Sequence, residues 1–597
     1  MSARTGSLRS LARDERPRSG CTSVRRLLAY LGPYRRDVAL ALAWLVVTSV
    51  ATAAQPALTG LVIDTAITTA AQEAGTGALA WPAALLIAAA VVGWWSQRAQ
   101  ILRLGAAGQR ALFDVREEVF GKVQRLSVSF FEGVGSGEVM SRLINDIETL
   151  NSFLSQGFRR VLGAALGIVA TLAGMLVVDW RLALVTLLVV PAILGATRLF
   201  GHVARRAFQR RQEAMGDVSA TLAEELAGIK VAQAFNRTDA DHSEFLARNA
   251  ANRDANITAS TVSSAFSPTL AVISAVATSL VAVFGGLLAV RGLVTIGVVV
   301  AFFGYARSFF NAISQLSSLY ADTQSALAGG ERVFDLLDTE PGVADADGAR
   351  DIGRVTGLIE FRSVCFAYDS GPRVLHDIDL VIEPGTTLAI VGATGAGKTT
   401  LVNLVPRFYD PTHGAVLIDG QDLRTVTMHS VRSNLGVVLQ DPFLFAGTLA
   451  DNIRYGREGA TDDQVRAAAA AASADAFIEQ LPEGYQTTVE ERGATLSAGQ
   501  RQLIAFARAI LADPRILILD EATSSVDTRT EALIQRGLKA LLAGRTALII
   551  AHRLSTVRDA DRIVVLERGR VIEDGSYTDL LAADGPFARL HHTQFDV

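Results

Sequence analysis

Eight consecutive residues, Gly392-Ala393-Thr394-Gly395-Ala396-Gly397-Lys398-Thr399, have the types and spacing needed to hold a chain of phosphates. Gly395 and Gly397 let the backbone wrap closely, so that amide N–H groups and the N-terminus of a following helix face negative oxygens. Lys398 reaches the outer phosphates, and the Thr399 hydroxyl is placed to coordinate Mg²⁺. A second acidic element stands about 120 residues downstream, at Arg515-Ile516-Leu517-Ile518-Leu519-Asp520-Glu521. Its four apolar residues predict a buried strand whose end presents Asp520 to the Mg²⁺ shell. Glu521, the next residue, is positioned to polarise an attacking water. An Asp-Glu pair after a strand is by itself more often a solvated strand end. Downstream of a phosphate loop, the pair implies attack of water on the terminal phosphate of a nucleotide.

These residues need elements to position them. Short β-branched runs (TLAIVG, ILILD, TALIIA, RIVVL) alternate with helical segments beyond about residue 357, which predicts a mostly parallel α/β sheet. The preceding stretch, DTEPGVADADGARDIGRVTG, is rich in Asp, Gly and Pro and reads as a linker. Upstream of it the composition is that of a membrane protein. Half of all 597 residues are hydrophobic, only 19% are charged, and the mean hydropathy is +0.30. Six apolar stretches are long enough to cross a bilayer, which takes ~20 residues as helix. They run over 38–63, 79–95, 161–178, 182–196, 270–290 and from Ile296 past Phe309. Pro56 is expected to bend the first, and Trp81, Trp94 and Trp95 sit near the ends of the second, where aromatic rings favour the interface.

Spans three and four are separated only by Asp179-Trp180-Arg181, which requires a tight hairpin. Long charged inserts follow spans two and four, and their arginine content places them in the cytoplasm. The first 36 residues carry Arg4, Arg9, Arg13, Arg16, Arg18, Arg25, Arg26, Arg35 and Arg36 against Asp14 and Glu15. No apolar core with a cleavage site follows, so the segment is read as a cytoplasmic flank rather than a secretory signal. The net charge of −4 gives no reason to expect a nucleic-acid partner. Cys21 and Cys365 suggest neither a disulfide framework nor a metal site.

Between the two nucleotide motifs lies Leu496-Ser497-Ala498-Gly499-Gln500-Arg501-Gln502. Here the chain resembles the ATP-binding cassette family, whose signature reads L-S-G-G-Q; Ala498 stands for its first glycine. Other family elements occur in order. Tyr368 matches the aromatic that stacks on adenine, and Thr400 completes the phosphate loop. Gln440 matches the glutamine that touches Mg²⁺ and the attacking water. Ser525-Val526-Asp527 matches the loop that crosses the dimer contact, and His552 matches the histidine on the γ-phosphate. Glu490-Glu491-Arg492-Gly493 resembles the cross-talk segment of exporters. The first half also resembles the exporter-type membrane domain, with 129–148 and 224–241 as its intracellular loops and short docking helices around Phe131–Ser136 and Phe235–Asp241.

The resemblance implies a six-span helical bundle over 28–337, preceded by a basic tail at 1–27, joined by a linker at 338–357 to an α/β P-loop ATPase domain at 358–597. It implies an ATPase coupled to transport, using ATP and Mg²⁺, in a multi-pass protein of the cell's inner membrane. In the family two cassettes pair head to tail, so that each ATP lies between one chain's phosphate loop and the other's Ser497–Gln500 counterpart. The partner is then a second half-transporter. Intact Glu521 and His552 favour a homodimer, with a heterodimer open. The expected substrate is a lipid, drug or peptide moved outward. Siderophore uptake stays open, as does a regulator that does not pump. In span six Arg307, Asn311 and Gln315 fall at i, i+4 and i+8, a polar stripe that lines a cavity, or else Arg307 snorkels or bonds to a neighbouring helix.

Overall fold

The computed structural model describes residues 20–71, 76–368, 371–490, 493, 495–520, 528–551 and 553–594. Most of the basic tail, Glu491, Arg492, Glu521, Ser525–Asp527 and His552 therefore lie outside the described residues. The chain forms two compact units. One comprises residues up to 124 together with 135–339; the other comprises 125–134 together with 340 onward.

The first unit is helical. Its long helices are Arg35–Ala71, Ala80–Arg125, Phe158–Val178, Val190–Ala234, Thr238–Val290 and Ile296–Asp338. Among the described residues six helices are long and apolar enough to cross a membrane. The segment Gly137–Val178 has a mean hydropathy of 2.4 over its apolar window, yet only 17% of that window is buried within the protein. Apolar surface on that scale has no stable place in water, so a bilayer must cover it.

Helix ends follow local chemistry. The Phe158–Val178 helix stops because Asp179 is extended, at φ −159°, and the same residue caps the next helix. Its Oδ1 accepts from the amides of Arg181 and Leu182 at 2.9 and 3.0 Å, a side-chain cap on otherwise orphan donors. The expected three-residue turn thus shrinks to Asp179 alone. Thr295 caps the Ile296–Asp338 helix, and Asp64 from the first span accepts both the Thr295 hydroxyl (2.5 Å) and the Gly297 amide (2.7 Å). The first helix continues through Pro56 to Ala71 without a break.

The intracellular segments differ from expectation. The first short helix spans Val128–Gly133, and a second begins at Ser136. The expected helix at Phe235–Asp241 is absent. Phe235, Asn236 and Arg237 form a turn with Asn236 left-handed at φ 54°, and Thr238 already starts the next long helix. Asp146, buried in a π-helical turn, receives both Nε (2.8 Å) and Nη2 of Arg332.

The second unit is built on two larger sheets. Strands β1 (Ile359–Ala367), β2 (Arg373–Ile382), β4 (His413–Ile418) and β5 (Gln421–Asp422) form an antiparallel sheet in the order β2-β1-β4-β5. Strands β3 (Thr387–Val391), β6 (Leu435–Val438), β9 (Ile516–Asp520), β10 (Thr546–Ile550), β11 (Arg562–Glu567) and β12 (Arg570–Gly575) form the other, in the order β12-β11-β3-β10-β9-β6. All its pairings are parallel except β11–β12. The short ribbon β7 (Gly447–Thr448) and β8 (Thr488–Val489) completes the set. Successive residues of the parallel strands enter different cores. Ala389, Leu517, Leu519 and Ile549 pack into one, and Leu388, Ile390, Ile518 and Ile550 into the other. Both faces are covered, which explains strands that read as continuous apolar runs.

Candidate nucleotide site

Register brings the separated motifs to one edge. Ile390 of β3 and Asp520 of β9 both pair with Ile550 of β10, and Val438 of β6 pairs with Leu519. The phosphate loop (after Val391), Gln440 (after Val438), Asp520 and Ala551 (after Ile550) therefore emerge at the carboxyl ends of adjacent parallel strands. In open α/β sheets this edge is where ligands bind.

The loop's backbone is fixed by close approach. A Cβ on Gly392 would lie 2.2 Å from the Leu566 carbonyl oxygen, which no side chain tolerates. Gly397, left-handed at φ 102°, starts the Lys398–Asn403 helix. Lys398 is buried, and its Nζ donates to the carbonyls of Gly392 (2.7 Å) and Ala393 (3.1 Å). Burial pulls the ammonium below the ordinary lysine value, while the nearby Asp520 carboxylate works against that shift. Among the described residues the group is thus a desolvated cation hydrogen-bonded to two carbonyls, with Asp520 nearby, and further negative charge beside it is favourable. Thr394, Gly395 and Thr399 are exposed around it and Ala396 is buried.

Thr400 is buried, and its hydroxyl meets the Tyr368 hydroxyl at 2.9 Å. The half-buried Tyr368 ring stands edge-on to Phe366 (4.8 Å between centroids) and Tyr409 (5.2 Å). Desolvation raises the Tyr368 phenol above its usual range. Tyr409 in turn donates to Glu132 Oε2 at 2.6 Å. The sequence reading missed Tyr409 and Glu132. They lie 277 residues apart, and no spacing rule connects them.

The oxygen donors proposed for Mg²⁺ suit a hard cation: a hydroxyl at Thr399, an amide at Gln440 and one carboxylate at Asp520. Among the described residues no cluster of three or more His, Cys, Asp or Glu side chains could hold a metal unaided. One carboxylate fits Mg²⁺, which keeps several waters and takes phosphate oxygens as further ligands.

The segment Ser497–Gln500 is organised as a helix start. Ser497 Oγ accepts from the Gln500 amide (3.2 Å), and Gln500 Oε1 accepts from the Ser497 amide (2.9 Å), a reciprocal cap on the Ala498–Ala512 helix. The S-x-x-Q spacing carries that signal in the sequence. Gly499 is buried and Ala498 half-buried. Among the described residues no hydrogen bond joins this segment to the Gly392–Thr400 loop of the same chain.

Residues 38–313 match the family model of the ABC transporter transmembrane region, and residues 375–524 match that of the ABC transporter. The chain belongs to the ABC transporter family. It is 44% identical over 86% of its length to the fatty acid ABC transporter ATP-binding/permease protein of Mycobacterium tuberculosis, of which 80% is covered. It is 35% identical over 96% of its length to the ATP-dependent lipid A-core flippase of Syntrophus aciditrophicus, 94% covered. A solved bacterial Atm1-family ABC exporter with ATP bound superposes with a TM-score of 0.79 at 30% identity, covering 94% of this chain and 98% of that one. The protein is an exporter-type half-transporter, a multi-pass membrane protein that binds and hydrolyses ATP in a cytoplasmic domain.

Proposed function

We propose that two copies of this chain pair to export a lipid-like amphiphile, each ATP lying between the phosphate loop of one copy and the Ser497–Gln500 segment of the other. The observation that carries this is Lys398, a buried cation whose Nζ donates to two loop carbonyls at the carboxyl edge of the sheet. It sits in a chain whose other half exposes apolar surface that only a bilayer can cover. Relatives named for fatty acids and for lipid A-core support an amphiphile. Neither relative reported above is named for siderophore uptake.

In this reading Lys398 binds the β- and γ-phosphates, Tyr368 flanks adenine, and His552 contacts the γ-phosphate. Glu521 orients and polarises the attacking water, with Gln440 assisting. Thr399, Gln440 and Asp520 would hold Mg²⁺, which when bound supplies neutralisation of phosphate charge. ATP binding closes the paired cassettes and hydrolysis reopens them, a two-state conversion carried to the spans by the intracellular segments. The membrane domain is assigned to 28–337 and the ATPase domain to 358–597.

The test is the ATPase rate of the purified full-length chain in lipid nanodiscs, with Glu521→Gln as control. Turnover in the wild type, lost in Glu521→Gln while ATP binding persists, is expected. Undiminished hydrolysis in the variant would remove Glu521 from the mechanism. Silence in both would show that a different partner chain is required.

A further inference from the structure

The six apolar stretches (38–63, 79–95, 161–178, 182–196, 270–290 and 296–316) contain no Asp, Glu, Lys or His; their one side chain charged at neutral pH is Arg307. It stands eleven residues into a helix that begins at Ile296. At 1.5 Å per residue that is about 16 Å, near the middle of a ~30 Å hydrocarbon core and too deep for its head to snorkel out.

The helix has two faces at this level. Phe302, Tyr305, Ala306, Phe309 and Phe310 are buried against neighbouring helices. Arg307, Ser308 and Asn311 are exposed. Among the described residues no side chain pairs with Arg307, so the reading in which it bonds to a neighbouring helix finds no partner there. Asp64, near the end of the first span, is by contrast satisfied by Thr295 and Gly297. A second identical copy would bring another Arg307 and again no carboxylate from its apolar stretches. A guanidinium at mid-bilayer without a counter-charge is costly, by several kcal/mol. The retained charge therefore needs an anion, and the apolar stretches of two copies supply none.

We infer that Arg307, with the Asn311 amide on the same face one turn away, binds the anionic headgroup, carboxylate or phosphate, of an acyl-chain amphiphile inside the membrane domain. The flat guanidinium accepts either group through two parallel hydrogen bonds. The exposed apolar residues of the spans suit the acyl chain. The inference rests on the amphiphile reading above and narrows it to anions.

The experiment uses the full-length protein in nanodiscs of zwitterionic phosphatidylcholine and reads stimulation of ATPase by oleate, by oleyl alcohol and by phosphatidic acid included in the disc. The wild type is expected to respond to an anionic amphiphile at a concentration at least about tenfold below that of oleyl alcohol, as a charged hydrogen-bonded contact provides. Arg307→Gln should abolish that preference and Arg307→Lys should keep most of it; Lys also serves if the Gln variant fails to fold. Oleate acting alone assigns the carboxylate, phosphatidic acid alone the phosphate, and either upholds the anionic headgroup. Equal response of the wild type to neutral and anionic amphiphiles, or a preference retained in Arg307→Gln, would overturn this inference and leave the amphiphile reading standing. No response to any of the three would overturn both.

Discussion

In the proposed site, Lys398 is a binding residue held ready at some expense to the fold. Burial lowers its pKa, so the folded state binds its proton less tightly than the unfolded chain does. By linkage, the charged side chain destabilises the nucleotide-free protein at any pH below its folded pKa. Lys398→Met should therefore leave the melting temperature without nucleotide unchanged or raised, read by scanning fluorimetry. The same variant should bind ATP about 10–100-fold more weakly, the worth of one or two charge-assisted hydrogen bonds. A variant that melts well below wild type without nucleotide would show Lys398 to be a structural residue first. The phosphate loop was legible because every member lies within nine consecutive residues. Tyr409 was not, because its neighbours Tyr368 and Glu132 come from distant segments and only the folded chain unites them.

At the level of elements, helix limits follow single side chains. Asp179 ends one helix and caps the next, so Asp179→Ala should cost about 1 kcal/mol. Hydrogen exchange should show it as faster exchange at the amides of Arg181 and Leu182. The Tyr409–Glu132 hydrogen bond joins a buried phenol to a carboxylate. Its loss in Tyr409→Phe should cost about 1.5–3 kcal/mol, and the double variant with Glu132→Ala should cost less than the sum of the singles. Additive losses would show that the two groups do not interact in solution. The parallel strands were legible from their apolar runs, but the antiparallel sheet was not. Strand β1 has left-handed Ser363 and register shifts against β2 between Phe361 and Ala367, which break the two-residue alternation that marks a half-buried strand. The missing helix at Phe235–Asp241 failed for a related reason: one left-handed residue, Asn236, turns the chain directly into the next helix.

For the whole molecule, the proposed arrangement makes each nucleotide site a joint product of two copies. If both sites must work, nanodisc dimers reconstituted from an equal mixture of wild-type and Glu521→Gln chains should retain about a quarter of wild-type activity, as random pairing in a two-fold assembly requires. Retention of one half would mean that each site turns over independently. The grouping of residues 125–134 with the ATPase unit has a practical side. A soluble fragment starting at residue 340 would be cut from a piece of its own body that lies more than two hundred residues upstream. Its Tyr409 phenol would lose its acceptor, and the surface under the Val128–Gly133 helix would be bare. Such a fragment should be aggregation-prone, and kinetic constants measured on it would describe a damaged enzyme rather than the motor of the intact transporter.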